Sequence, residues 1–331
     1  MNLGVSFIIP VYNGARFIGE TLGHIFAQTV PAHQVIVVDD GSTDNLDQAL
    51  APWRNRIELI RIPNSGVNVA RNTGAARATG SWLAFMDSDD IPLPKFVESQ
   101  FRLIEASGNA RSSIVDCKDV VNGVWAERSH FSYAPEDFWN VRRRDFGEAG
   151  YVIDESLAEK APRYQPTIPS ACMVSRALFL EMDGWDLRMN RVVGGQDTEF
   201  HFRQLDHPPI AVAPKVLLGY RKHASSWTAD ELRALAGDIV TWRRIAEEFE
   251  LGRKKAPAIE EALQHMTIDL LTTAFNRRRF DICREWKIRD KTTRLPASLR
   301  ARMALTGLPD ALLGPITAVA SSLRGTSSQK G

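Results

Sequence analysis

The sequence predicts an α/β protein: a mostly parallel central sheet with flanking helices, followed by a mainly α-helical C-terminal extension. Three observations predict it. Over the first hundred residues, short β-branched runs alternate with stretches of helical periodicity, and strand–helix–strand repetition of this kind makes parallel sheets. Polar clusters follow those runs, and open α/β sheets bind ligands at the carboxyl ends of their strands. Past about residue 228 the texture becomes long and amphipathic.

The elements follow in order. Val5–Pro10 reads as a buried strand that starts almost at once, stopped by Asn13-Gly14. Its apolar run is short and has no basic leader, so neither a signal peptide nor a membrane span is expected. Phe17, Ile18, Leu22, Ile25 and Phe26 recur at helical spacing. Gln34–Val38 is a second strand, and the turn-rich Asp39–Asp44 leads to a helix over Leu46–Leu50. Ile57–Ile62 is a third strand, Gly66–Thr79 an Ala-rich helix, and Trp82–Met86 a fourth strand. The middle, about 110–225, has short β-like runs at Ser113–Asp116, Ala171–Ser175, Ile210–Ala213 and Lys215–Arg221 among polar loops. Ala229–Glu250 and Ala256–Asn276 read as amphipathic helices. The expected division is a catalytic domain over 1–227, a helical region over 228–325 and a disordered tail over 326–331.

Composition is that of a soluble globular chain, with 44% hydrophobic and 24% charged residues. Forty-one basic against forty acidic side chains leave a net charge of +1, which argues against a general polyanion binder. Three widely separated cysteines, Cys117, Cys172 and Cys283, have no metal-ligand spacing and suit a reduced, cytoplasmic protein.

The fourth strand runs into Asp87-Ser88-Asp89-Asp90. Three carboxylates that close repel one another, and partial burial raises their pKa values unless a cation is bound. Helix capping by Asp90 ahead of Ile91-Pro92 is one explanation. It serves Asp87 and Asp89 less well. D-x-D on extended chain puts both side chains on one face, and Mg²⁺ or Mn²⁺ takes one or two carboxylates plus substrate phosphates. Polar residues at Val11-Tyr12-Asn13 and Asp39-Asp40 are expected to converge on the same edge.

Six stretches then carry a resemblance: SFIIPVYNG (6–14), VIVVDDGSTD (35–44), NSGVNVARNTGAARATG (64–80), FMDSDD (85–90), MDGWD (182–186) and GGQDTEFHFR (194–203). In this order and roughly this spacing they resemble family 2 glycosyltransferases with the GT-A, Rossmann-like fold. The likeness covers about residues 5–225 and leaves out the C-terminal third. It implies an inverting, metal-dependent transfer of sugar from a nucleotide-sugar, with a UDP-sugar favoured, to a hydroxyl of a glycan or lipid-linked acceptor. Cell-envelope or exopolysaccharide synthesis would be the setting. Pro10, Tyr12, Asn13 and Asp40 would line the base pocket, and Arg71 would lie near the base or diphosphate, against the alternative of a surface helix cation. Asp87 would meet the ribose and, with Ser88, the donor. Asp89, with Asp87 and His223, would hold Mn²⁺ or Mg²⁺; an isolated histidine of no special role is the alternative for His223. Asp197 would be the general base, taking the proton of the acceptor hydroxyl, or would merely cap the helix Thr198–Leu205. Gln196 stands where the family usually has Glu. Trp185, Gln196 and Arg221, with Lys222, would border the acceptor or the diphosphate, a buried core place being as good a reading of Trp185.

The rival readings are a nucleotidyltransferase and a non-catalytic nucleotide-sugar scaffold or sensor. A nucleotidyltransferase calls for a Gly-rich basic loop after the first strand, where Pro10–Gly14 has one Gly. A scaffold calls for loss of the metal carboxylate or the base. From Arg277 to Arg302 ten basic residues face three acids, and the apolar, Pro/Gly-broken tract Met303–Leu323 follows. That combination permits a peripheral contact with anionic lipid, at the inner face of the plasma membrane, through 277–323. A solvated basic face, with the tract packed on the catalytic domain or a second subunit of a homo-oligomer, is the plainer alternative. The basic run has little aromatic interleaving, so no nucleic acid is expected.

Overall fold

The computed structural model describes residues 4–190, 195–223, 230–290 and 292–308. The parallel half of the sheet forms where the β-branched runs stand: β1 (Val5–Val11), β2 (Gln34–Asp39), β3 (Glu58–Arg61) and β4 (Trp82–Phe85). Between them run α1 (Ile18–Phe26), α2 (Leu46–Leu50) and α3 (Val67–Arg77). All seven residues of β1 are buried, because alternate side chains enter opposite cores. Phe7 and Ile9 meet Ile18, Leu22 and Ile25 of α1, while Ile8 meets Ala70 and Ala75 of α3. A β-carbon on Gly74 would lie 2.5 Å from Ile8 Cγ2, so only glycine lets α3 sit this close to the sheet.

The chain continues through β5 (Ile91–Pro92), α4 (Phe96–Ser107), β6 (Ser112–Val121), β7 (Val124–Trp125), β8 (Arg143–Asp145), β9 (Tyr151–Ile153), β10 (Cys172–Ser175), α5 (Arg176–Glu181), α6 (Thr198–Leu205) and β11 (Ile210–Lys222). The strand order is β3-β2-β1-β4-β10-β6-β11-β9-β8, with β5 on β11 and β7 on β6. Pairing is parallel from β3 to β4 and between β6 and β11. The antiparallel β10 lies between the two parallel groups and makes the whole sheet mixed. Two reversals restore direction, so β1, β2, β4, β6 and β11 all end at one edge. The runs Ile210–Ala213 and Lys215–Arg221, read separately in the sequence, are one strand. Pro214 has no N–H for the ladder, and the pairing with β6 shifts register between Ala213 and Val216.

Asp90 caps no helix. Ile91-Pro92 pairs with β11 instead, and α4 starts only at Phe96.

The C-terminal helices are α7 (Glu231–Glu248), α8 (Glu250–Lys254), α9 (Ala256–Asn276), α10 (Phe280–Arg289) and α11 (Ala297–Leu305). Their apolar faces share one core with the sheet: Ile239, Trp242, Leu263 and Trp286 cluster with Ile114, Phe202 and Val212. Trp242 meets Phe202 edge-on at 5.2 Å. Within the basic stretch Phe280, Cys283, Trp286, Leu299 and Met303 are buried, and Asp281, Glu285 and Asp290 are paired to Arg279, Arg289 and Arg243. Residues 309–331, with most of the apolar tract and the 326–331 tail, lie outside the described residues. Among the described residues no helix is long and apolar enough to cross a membrane. The three cysteines are free and buried.

Candidate active site

The carboxyl edge of β1, β2 and β4 carries the site. A cavity of about 320 Å³ opens there, lined by Pro10, Val11, Tyr12, Asp40, Asn64, Gly66, Val67, Asn190 and Gln196. It is open on one side, where Tyr12 is exposed. Asp40 is buried and shapes the wall: its two oxygens accept from Ser65 N at 2.7 Å and Gly66 N at 2.8 Å. Each oxygen keeps a second lone pair. Asn13 is a loop brace. Its side chain accepts from Thr43 N at 2.8 Å, its amide donates to Ser42 Oγ at 3.0 Å, and its φ of +53° suits Asn at the turn.

The sequence reading missed Asn68 and Asn190. Asn190 Oδ1 accepts from Asn68 N at 2.9 Å, and its Nδ2 donates to Ser65 O. Asn68 Nδ2 donates to Gln196 O at 3.2 Å. The two asparagines thus tie the cavity wall to the segment before α6. They sit far apart in the chain, and neither local pattern announces a partner.

The three carboxylates meet three different partners. Asp87 pairs with Arg71 at 3.0 Å, and its amide donates to Ser170 Oγ at 2.9 Å. Burial raises the Asp87 carboxyl, Arg71 opposes that, and the charges of Asp89 and Asp197 add to it. Arg71 is no surface cation: it is 4% exposed, and its guanidinium lies 4.4 Å over the Trp185 ring. Asp89 Oδ2 is 2.8 Å from His223 Nε2. Asp90 is buried, and its Oδ1 accepts from Arg221 N at 3.0 Å. Burial, then the neighbouring charges of Asp89 and Asp87, push the Asp90 carboxyl well up. Thr21 Oγ1 donates to Ser88 O and Asp90 O at 3.0 and 2.9 Å, fastening the acidic segment to α1. Ser88 Oγ faces Gly14, where a β-carbon would come within 2.9 Å of it.

Arg221 is engaged by the protein. Its Nε donates to Asp89 O at 2.7 Å and its Nη2 pairs with Glu20 at 2.8 Å. Lys222 pairs with Asp119 at 2.9 Å. These two residues hold the end of β11 against the site, so the sequence reading of them as open diphosphate ligands is not what their contacts support. Trp185 is 1% exposed and stacks on Phe200 at 4.0 Å. It is the floor under Arg71, and its burial favours the core reading over the acceptor one.

Asp197 stands at the N-cap of α6, yet its side chain makes no capping hydrogen bond. The capping explanation therefore fails, and the carboxylate is not committed to the helix. Its charge adds to the raising of the Asp87 carboxyl, so the two carboxylates lie near one another. Gly194 lies outside the described residues. Gly195 has φ +69°, and a β-carbon there would fall 2.5 Å from Thr241 Oγ1 of α7. Gly195 is thus fixed against the C-terminal helices. Gln196 lines the cavity.

Among the described residues no group of three or more His, Cys, Asp or Glu side chains is arranged to hold a metal. Asp89 with His223 makes a two-residue donor set, one hard oxygen and one imidazole nitrogen. It fits Mn²⁺ or Mg²⁺ that completes its shell with water and substrate phosphates.

Comparison with known proteins agrees with this geometry. The family model described as Glycosyl transferase family 2 matches residues 6–155. Glycosyltransferase GlyG of Streptococcus pneumoniae serotype 4 is 26% identical over 190 residues, 54% of this chain and 58% of that protein. YibD of Escherichia coli K12, an uncharacterized glycosyltransferase, is 36% identical over 98 residues, 29% of this chain and 28% of that protein. The chain thus spans well under two thirds of either relative. Among solved structures, Staphylococcus aureus TarS residues 1–349 in complex with UDP-GlcNAc superposes with a TM-score of 0.56 at 19% identity, over 79% of this chain and 72% of that one. The mannosyltransferase PcManGT of Pyrobaculum calidifontis, in complex with GDP-Man and Mn²⁺, gives 0.52 at 16% identity, over 95% and 86%. At these identities the likeness establishes the fold, of GT-A type.

Proposed function

We propose, from the match of residues 6–155 to the glycosyl transferase family 2 model, that the protein transfers a sugar, with inversion, from a nucleotide-sugar to an acceptor hydroxyl. A UDP-sugar is the favoured donor, and a glycan or lipid-linked molecule the acceptor, in envelope or exopolysaccharide synthesis. The observation that carries the reading is the convergence of three things on one sheet edge: a base-sized cavity walled by Asp40, the Asp89–His223 pair, and the uncommitted carboxylate of Asp197. The TarS complex with UDP-GlcNAc supports the uracil preference. The PcManGT complex with GDP-Man and Mn²⁺ supports a metal and keeps guanine as the competing base.

The cavity takes the base between Pro10, Tyr12 and Val67. Arg71 neutralises Asp87 from below, so that carboxylate can accept from ribose hydroxyls without carrying its full charge into the complex. Asp89 and His223 would hold the metal, whose chemistry when bound is to offset charge gathering on the departing nucleoside diphosphate. Asp197 accepts the proton of the acceptor hydroxyl as that oxygen attacks the anomeric carbon on the face opposite the leaving group. One base suffices for inversion, and no covalent nucleophile is required.

Calorimetry with UDP, GDP and dTDP, in Mn²⁺ and in EDTA, tests the donor half. UDP is expected to bind best and to lose affinity in EDTA. A folded protein that binds none of the three would refute the reading.

A further inference from the structure

The turn before α1 has a feature that neither the base pocket nor the carboxylates explain. Gly14 lies against Ser88, and Gly14 O accepts from Phe17 N at 3.0 Å and Ile18 N at 3.1 Å. Ala15 N donates to Asp44 Oδ2 at 2.8 Å. The turn is therefore fixed beside the acidic segment. Phe17 stacks its ring on the His223 imidazole at 4.9 Å and 21°. The same ring has the Arg221 guanidinium 5.3 Å from its centre and the Arg16 guanidinium 5.0 Å from it.

Two guanidiniums and an imidazole thus gather on one aromatic ring at the mouth of the donor site. Two are answered: His223 by Asp89 and Arg221 by Glu20, at 2.8 Å each. Arg16 is exposed, and among the described residues it makes no ion pair. An exposed arginine held near a second guanidinium, with no carboxylate of its own, is open to an anion. The ring attraction, about 0.5–1 kcal/mol at an exposed site, orients the guanidinium and leaves its N–H fork open. That fork matches phosphate oxygens bidentately.

We infer that Arg16 is an anion-binding residue of the donor site, seated by Phe17 and contacting the diphosphate of a nucleoside diphosphate. The inference rests on the donor-site reading above, which assigned that charge to the metal. Arg221 is held by Glu20 and by Asp89 O, and Arg16 is the exposed guanidinium of the two.

The test is calorimetry of the full chain with uridine and with UDP, in Mn²⁺ and in EDTA, for wild type, Arg16→Ala, Arg16→Lys and Phe17→Leu. Arg16→Ala is expected to weaken UDP by about tenfold, the size of a charged phosphate contact, and to leave uridine unchanged. The deficit persists in EDTA, and the salt dependence of UDP binding becomes shallower. Arg16→Lys keeps part of the affinity, and Phe17→Leu behaves as a weaker Arg16→Ala. Unchanged UDP affinity in Arg16→Ala, with wild-type binding intact, overturns this inference alone. Equal loss of uridine and UDP would mark a disturbed fold and also overturn it. A wild type that binds no UDP removes the donor-site reading and this inference together.

Discussion

Gly195→Ala probes how the proposed base is held. The new β-carbon would stand 2.5 Å from Thr241 Oγ1, 2.8 Å from Cγ2 and 3.0 Å from Cβ, where ordinary contacts begin at 3.4 Å. The φ of +69° also costs alanine about 1–2 kcal/mol. Overpacking adds about 1–3 kcal/mol, because Thr241 is buried and α7 is packed on α9. Relief requires the segment carrying Asp197, or α7, to move by about 1 Å, a displacement that costs on the order of 10² in rate when it moves a reacting group. The expected result is a Tm lower by several degrees and transfer reduced about a hundredfold, with UDP affinity much less affected. Adding Thr241→Ala removes the two nearest atoms and should recover part of both losses. Full transfer activity with an unchanged Tm in Gly195→Ala alone would refute the argument that this contact fixes the base.

Two further outcomes are expected. Asp197→Asn should retain UDP binding while transfer falls by a factor on the order of 10²–10⁴; near-wild-type turnover would assign the base elsewhere. Asp290 tests the C-terminal helices: burial alone would raise its carboxyl, but hydrogen bonds from Thr293 and Thr292 hold it far below the usual range, and Arg243 pairs with it. A depressed carboxylate contributes stability that is present above its unfolded pKa, about 3.9, and lost as pH falls towards the folded value. Asp290→Asn should therefore be less stable at pH 7 and show a shallower fall in urea midpoint below about pH 4. Parallel pH profiles for the two proteins would count against that role.

The parallel half of the fold was legible because its strands are buried on both faces. Val5–Val11 and Gln34–Asp39 read as unbroken β-branched runs for that reason. β8 and β9 are three residues each, too short for a period to show. The start of α4 was misplaced because Ile91-Pro92 is claimed by β11, a tertiary choice that local cap chemistry does not contain. In the site, residue types were legible and contacts were not. D-x-D announced carboxylates needing positive charge, but not that Arg71 would take Asp87 from beneath. The fate of Trp185 depended on Phe200, fifteen positions on, stacking over it. Asn68 and Asn190 gave no signal, because a hydrogen bond across 122 residues leaves none in the local pattern.

The like-charge problem at Asp87-Ser88-Asp89-Asp90 is solved residue by residue. Asp87 is answered by a buried guanidinium, which cannot deprotonate; that carboxylate has a fixed countercharge whether or not ligand is present. Asp90 receives an N–H from β11 and a hydrogen bond from Ser170, and its burial still pushes its carboxyl well up. It serves as a structural acceptor joining the acidic segment to the strand that ends in His223. Asp89 alone faces a partner, His223, whose ring nitrogen can instead ligate a metal. The exchangeable countercharge is therefore confined to one carboxylate of three, and the other two hold the backbone around it. A metal arriving with a diphosphate would displace the Asp89–His223 contact without disturbing the Arg71 and Arg221 contacts that set the shape of the site.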